Sequence, residues 1–159
     1  MKILIVSDTH RRIGNLEEVL EKEKNLDYMI HLGDVEGQDD YIRAMVPYGV
    51  LIVGGNNDYF SDLPREALFS LGNHKVFTTH GHAYSVSLGT QRLKTEARRK
   101  GADIVMYGHT HVPVVDIEPD LVTLNPGSLT YPRQTGRQPS YIIMEIDKEG
   151  NTTYEIRYL

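Results

Sequence analysis

The segment Lys2-Ile3-Leu4-Ile5-Val6-Ser7-Asp8-Thr9-His10 decides how the rest of the chain is read. Ile3 to Val6 is a short apolar run ending in polar residues, which suits a strand buried on both faces. Leu16, Val19 and Leu20 follow at helical spacing, with Glu17, Glu18, Glu21 and Lys22 between and after them, and predict a helix over about 14–24. Tyr28 to Leu32 is a second strand, broken by Gly33. A short helix over about 38–46 is stopped by Pro47, whose ring cannot continue it. Val50 to Val53 is a third strand, ending at Gly54-Gly55. Strand, helix, strand, helix, strand predicts a parallel sheet with right-handed crossovers.

Downstream, Glu66–Leu71 and Lys75–Thr79 flank Gly72-Asn73, a hairpin signal. Leu88 to Arg99 reads as a helix with Leu93 and Ala97 inward, closed by a basic last turn and Gly101. Ile104 to Tyr107 is another buried strand. Val112–Glu118 with Leu121–Asn125, and Tyr141–Ile146 with Thr152–Tyr158, predict two further hairpins. The first half is α/β and the second mostly β. The expected product is two packed sheets with helices outside.

The chain has 159 residues, a length that fits one domain over 1–159. It contains no Cys, which excludes disulfides, zinc fingers, iron–sulfur clusters and thiol nucleophiles. With 17 Lys+Arg against 22 Asp+Glu the formal charge is −5, which argues against a dedicated nucleic-acid surface. No apolar run approaches a membrane span, and the apolar stretch after Lys2 is too short for a signal peptide. A cytoplasmic protein is expected.

The seven His are placed unevenly. Asp8 and His10 follow the first strand, Asp34 the second and Asn56 the third. His80 and His82 follow the hairpin, and His109 and His111 follow the next strand. In open α/β sheets the C-terminal strand edge is where sites are built, so these loops can converge. Carboxylates, an amide oxygen and imidazoles with no thiolate suit Mn²⁺, Fe, Ni²⁺ or Zn²⁺. The set exceeds what one ion takes, whereas two ions about 3.5–4 Å apart are the usual solution for phosphoester hydrolysis. The i,i+2 spacing of Asp8/His10 and His109/His111 is expected to put each pair on one side of an extended segment.

The ordered set D-x-H, G-D, G-N-x-D, H-G-H and G-H-x-H resembles the calcineurin-like metallophosphoesterase superfamily. The short length and the segment Asn125-Pro126-Gly127-Ser128-Leu129-Thr130-Tyr131-Pro132-Arg133 resemble its small bacterial and archaeal phosphodiesterase branch. The resemblance implies a four-layer α/β/β/α sandwich of two mixed sheets. It implies one metal held by Asp8, His10 and His111, a second held by Asn56, His80 and His109, and Asp34 bridging them. The implied cofactor is two divalent ions, with Mn²⁺ favoured. The implied reaction is phosphodiester hydrolysis by a hydroxide bridging the ions. Much of the superfamily has His after the motif asparagine, a residue thought to stabilise the transition state or protonate the leaving group; here it is Asn57. Leaving-group protonation must then come from elsewhere, and His82 is the candidate. A preference for diesters with acidic leaving groups follows.

Blander roles stand beside these. Asp8 and Asp34 could be helix N-caps, and Asn56 a turn former. His31 is expected to be a satisfied core residue or to lie just behind the ligands, and His74 to be solvent-exposed in its turn. Asp58 is expected to hydrogen-bond loop backbone. Asn125 to Ser128 is expected to form a turn supporting the metal loops. Arg92, Arg98, Arg99 and Lys100 suggest a solvated basic face. At the level of function the alternatives are a protein-interaction scaffold of the same fold, as in a retromer subunit, and a monoesterase or nucleotide hydrolase. All seven ligand positions are filled, which favours the enzyme over the scaffold. The small-molecule site is expected to be open, since no long insertion caps it, and a homo-oligomer is compatible with the ten Tyr.

Overall fold

The computed structural model describes residues Met1–Leu159. Strand β1 (Lys2–Val6) is followed by α1 (Gly14–Lys22), β2 (Tyr28–His31), α2 (Asp39–Ala44) and β3 (Gly49–Ile52). β4 (Glu66–Leu71) and β5 (His74–Thr79) form the expected hairpin, with Leu71 paired to His74. Two 3-10 turns, His82–Tyr84 and Val86–Leu88, lead into α3 (Gln91–Arg99). Then come β6 (Ile104–Met106), β7 (Pro113–Ile117), β8 (Val122–Pro126), β9 (Ser140–Ile146) and β10 (Thr152–Tyr158).

The strands form two five-stranded sheets, ordered β10-β9-β1-β2-β3 and β4-β5-β6-β8-β7. β1, β2 and β3 are parallel, as the alternation with helices predicts. β9 runs antiparallel beside β1, carrying the last hairpin into the first sheet. In the second sheet β5, β6 and β8 are parallel, with antiparallel β4 and β7 at the edges.

Side-chain alternation on β1 shows how the layers are glued. Ile3 and Ile5 enter the core between the sheets, with Ile30, Val76, Ile104 and Leu124. Leu4 and Val6 face the other way, onto Leu16 and Val19 of α1 and Ile42 of α2. On the far side, Phe77 and Val105 of the second sheet pack against Leu93 and Ala97 of α3. Each central strand is thus covered on both faces, and the architecture is the four-layer α/β/β/α sandwich.

Three local expectations are corrected. The third helix begins at Gln91, not Leu88: Gly89 has φ +137°, which breaks the helical path, and Leu88 is left exposed. His74 is not free in solvent; Nδ1 lies 2.7 Å from Asp103 Oδ2 and Nε2 2.8 Å from the Gly150 carbonyl oxygen. The basic stretch of α3 is paired rather than merely solvated. Arg98 binds Asp120 and Glu118, Arg99 binds Glu96, and the buried Lys94 holds Asp116 and Glu118.

Candidate metal centre

Every expected ligand sits just past the C-terminal end of a parallel strand: Asp8 after β1, Asp34 after β2, Asn56 after the edge strand β3, His80 after β5, His109 and His111 after β6. His10 closes the turn that Asp8 opens. The structure brings all seven together. Asp8 Oδ1 lies 2.9 Å from His111 Nε2, 3.7 Å from His10 Nε2 and 3.9 Å from His80 Nε2. Asp34 Oδ2 lies 3.8 Å from His10 Nε2 and 3.5 Å from His80 Nε2, so it stands between the two halves of the set. Asn56 Oδ1 faces His80 Nε2 at 3.1 Å and His109 Nδ1 at 2.9 Å. Neither aspartate caps a helix: Ile13 and Gln38 hold those positions.

The backbone gets there differently from the extended segments expected. Asp8, His10, Asp34, His109 and His111 all have positive φ, between 45° and 67°. Non-glycine residues in this region cost of order 1–3 kcal/mol each and persist where the surroundings impose them. The left-handed turns aim His109 and His111 at different halves of the site: His109 at Asn56, His111 at Asp8. Gly33 supplies φ +104° and leaves a gap. A Cβ there would come within 2.7 Å of His80 Nδ1 and 2.8 Å of the Gly55 nitrogen.

The outer nitrogens of three imidazoles are fixed. His80 Nδ1 lies 2.6 Å from the Leu32 carbonyl oxygen, and His111 Nδ1 lies 2.7 Å from that of Tyr131. Carbonyls only accept, so each Nδ1 donates, and in the neutral ring Nε2 presents a lone pair inward. His10 Nδ1 is held in the same way by Glu36 Oε1 at 2.7 Å. The inward atoms are therefore acceptors facing acceptors: His10 Nε2 and His111 Nε2 are 3.4 Å apart, and the buried Asp8 Oδ1 has no donor at all. Lone pairs converging without protons between them are what a cation site looks like, and the tethered outer nitrogens match the carboxylate–histidine–metal pattern. Two groups of ligand atoms, from Asp8, His10 and His111 and from Asp8, Asp34 and His80, each lie within 4.8 Å of one another.

The electrostatics agree. Burial works against ionisation of Asp8, but His111 and His80 outweigh it and its pKa is lowered. Burial likewise opposes Asp34, yet His80 and both donors of Asn57 hold it well below the carboxylate range. For His80, burial disfavours charge, while Asp34 and Asp8 push its pKa above the usual value, so the pocket attracts positive charge.

The remaining expected residues are placed as follows. Asn57 donates its backbone N–H to Asp34 Oδ1 at 2.9 Å and its side-chain amide to Oδ2 at 2.7 Å. His82 stands beside the set, its ring 5.5 Å from His80 and 6.2 Å from His109, with Nδ1 buried and unpartnered. Burial first, then the neighbouring His80 and Arg65, lower its pKa. Asp58 binds backbone, as expected, taking N–H groups of Asp34, Gly55 and Glu36. His31 is fully buried and bonded to Thr9, and burial lowers its pKa to about 4. Asn125 donates to the Gly108 carbonyl and Ser128 to that of Asp8, so this segment braces two metal loops. The sequence reasoning missed Glu36 and Arg65. Glu36 lies two residues past Asp34 in a glycine-flanked turn, which is the signal that could have found it. Arg65, which donates to the Gly55 and Asp58 carbonyls, carries no such signal.

Residues 1–149 match the model of the calcineurin-like phosphoesterase superfamily domain. The chain belongs to that superfamily. It is 33% identical over 153 residues to a probable metallophosphoesterase, YsnB of Bacillus subtilis, covering 96% of this chain and 88% of the relative. It is 30% identical over 148 residues to phosphodiesterase MJ0936 of Methanocaldococcus jannaschii, covering 80% and 83%. Among solved structures, a predicted phosphoesterase of Streptococcus pneumoniae superposes with TM-score 0.81 at 31% identity, covering 98% of this chain and 97% of that one. Vps29 of Entamoeba histolytica, solved with zinc, superposes with TM-score 0.75 over 99% of both chains; at 22% identity that likeness reaches the fold alone. Family and fold together support a metal-dependent phosphoesterase. No helix is long and apolar enough to cross a membrane.

Proposed function

We propose that this chain hydrolyses phosphodiesters at a pair of divalent cations. Asp8, His10 and His111 would hold one cation, Asn56, His80 and His109 the other, with Asp34 bridging; Mn²⁺ is the favoured ion, with Ni²⁺, Fe or Zn²⁺ as the others the donor set admits. The observation that carries the proposal is the inward convergence of lone pairs around the partnerless Asp8 Oδ1. Such ions, when bound, supply positive charge for the phosphoryl oxygens and lower the pKa of nearby water so that it can attack phosphorus.

The protein's own part is orientation. Leu32, Tyr131 and Glu36 fix three imidazoles in one tautomer. Asn57 fixes the Asp34 carboxylate through its backbone N–H and its side-chain amide, which makes it a positioning residue; an amide is too weak an acid to protonate a leaving group. Hydrolysis breaks the bond from phosphorus to the leaving oxygen, and that oxygen must take a proton. His82, whose ring stands 5.5 Å from that of His80, is assigned that proton, and its lowered pKa makes it a poor carrier of one. General acid help is worth about 10²–10⁴-fold, so a site with one weakly placed acid favours leaving groups that need little help. The phosphodiesterase name of the archaeal relative supports a diester over a monoester.

The test is hydrolysis of bis(p-nitrophenyl) phosphate by protein stripped with chelator and then titrated with Mn²⁺, alongside elemental analysis. Activity that appears with two equivalents of metal is the expected result. Inactivity with both cations bound overturns it in favour of the scaffold, and a faster rate on p-nitrophenyl phosphate than on the diester overturns the diester preference.

A further inference from the structure

The loop after β3 carries two side chains that the chemistry above does not use. Tyr59 is 73% exposed and Phe60 fully so. Their position is fixed from below. Asp58 accepts backbone N–H groups of Asp34, Gly55 and Glu36, its carbonyl accepts from Arg65 and Ser61, and Arg65 also binds the Gly55 carbonyl. The backbone that carries the two rings is thus clamped at its base, while the rings themselves stand free in solvent.

Tyr59 borders the metal centre, and Phe60 reaches it only through the groove it shares with Asn57. Tyr59 lines two grooves: one, of about 460 Å³, shared with Asn56 and His82, and a larger one, of about 630 Å³, shared with Phe60, Asn57 and Glu36. Asn56 and Asn57 touch the metal set directly, so a phosphoryl group there would have one ester arm running past Tyr59. The larger groove holds Glu36, Asp39, Asp40, Asp58 and Asp62 against Arg11 and Arg43. Carboxylates thus outnumber guanidinium groups five to two, and Asp39, Asp40 and Asp62 are free of the bonds that occupy Asp58 and Glu36. Such a groove repels further phosphates, which argues against a continuing polynucleotide strand. It welcomes an uncharged flat group that stacks on aromatic rings and offers N–H donors to carboxylates, the description of an amino-bearing nucleobase. Its volume lies in the range of small-molecule sites.

We propose that Tyr59 and Phe60 are the specificity-determining residues of this site and that its substrate is a phosphodiester carrying a single nucleoside, the base stacked on these rings over the acidic groove. This rests on the phosphodiesterase assignment above, and the experiment separates the two.

The probes are adenosine 5′-(p-nitrophenyl phosphate) and methyl p-nitrophenyl phosphate, which share a leaving group and differ only in the other arm. Mn²⁺-loaded wild-type protein is expected to favour the adenosine ester in kcat/KM by about tenfold or more, in line with the worth of one base–aromatic stack. In Tyr59→Ala/Phe60→Ala that ratio is expected to fall about tenfold, and in Tyr59→Phe/Phe60→Tyr to persist, because rings remain. A ratio that is near one in the wild type, or unchanged in the alanine variant, overturns the inference. If neither ester is hydrolysed, the phosphodiesterase assignment fails instead, and calorimetry with adenosine 5′-(methyl phosphate) decides the ring recognition. A Kd about tenfold weaker in the alanine variant upholds it, and an equal Kd or no binding to the wild type overturns it.

Discussion

Replacing Gly55 with alanine tests whether the carboxylate of Asp34 is held as tightly as its contacts imply. A Cβ added at this glycine would lie 2.5 Å from the Asp34 backbone nitrogen and 2.8 Å from its Cγ. Gly55 has no positive φ, so the cost is steric rather than torsional. Neither side can yield freely. The Asp34 and Gly55 nitrogens donate to the same Asp58 oxygen at 2.8 and 2.7 Å, and Asn57 binds both Asp34 oxygens. Overpacking of this kind costs about 1–3 kcal/mol. For a chain of this size that lowers Tm by roughly 3–10 °C. Because the displaced group is the proposed bridging carboxylate, Mn²⁺ affinity is expected to fall about 10–100-fold as well. Gly14→Ala is the control, since its Cβ would meet nothing within 4 Å. Calorimetric melts with and without Mn²⁺ measure both effects. A Gly55→Ala protein that melts with the wild type and binds Mn²⁺ equally well would refute the reasoning.

Two further substitutions probe the supporting contacts. Glu36→Gln keeps the shape but removes the charge that polarises His10 Nδ1–H; Mn²⁺ Kd from calorimetry is expected to weaken about 10–100-fold, and an unchanged Kd would mean that Glu36 merely packs. Glu23 is buried, and burial alone would raise its pKa, yet bonds from Arg157, Lys2 and Tyr141 bring it down to about 2. A folded pKa below the unfolded one gives stability that is present above about pH 4.5 and is lost as pH falls through about 2. Glu23→Gln is therefore expected to be less stable at pH 7 by roughly 2–3 kcal/mol, with the deficit narrowing below about pH 4.5. Urea melts across pH that show a constant deficit would count against the ion cluster as its origin.

The convergence of the metal set was legible because parallel strands put their C-terminal ends at one edge, and each ligand follows such a strand within a few residues. The layers were legible for a related reason. Runs such as Ile3–Val6, apolar at every position, leave both faces of a strand to be covered. What escaped is what depends on distant pairing. β9 joins β1 across most of the chain, and nothing local in Tyr141–Ile146 says which sheet it enters. His74 looked like a turn residue because its partners, Asp103 and Gly150, are remote in sequence. The left-handed turns at Asp8, His10, Asp34, His109 and His111 were unreadable for a different reason. Local sterics disfavour them, and only the assembled site explains them.

Asp8, Asp34 and Asn56 rise from the first sheet, while His80, His109 and His111 rise from the second, and these six side chains meet over the seam between the two. With cations seated as proposed, the ions rivet one half of the sandwich to the other. Substitutions buried at the interface, such as Val76 or Ile104, then become remote tuning screws: letting one sheet slide a fraction of an ångström against its mate would register at the rivet as weaker metal retention, far from any ligand.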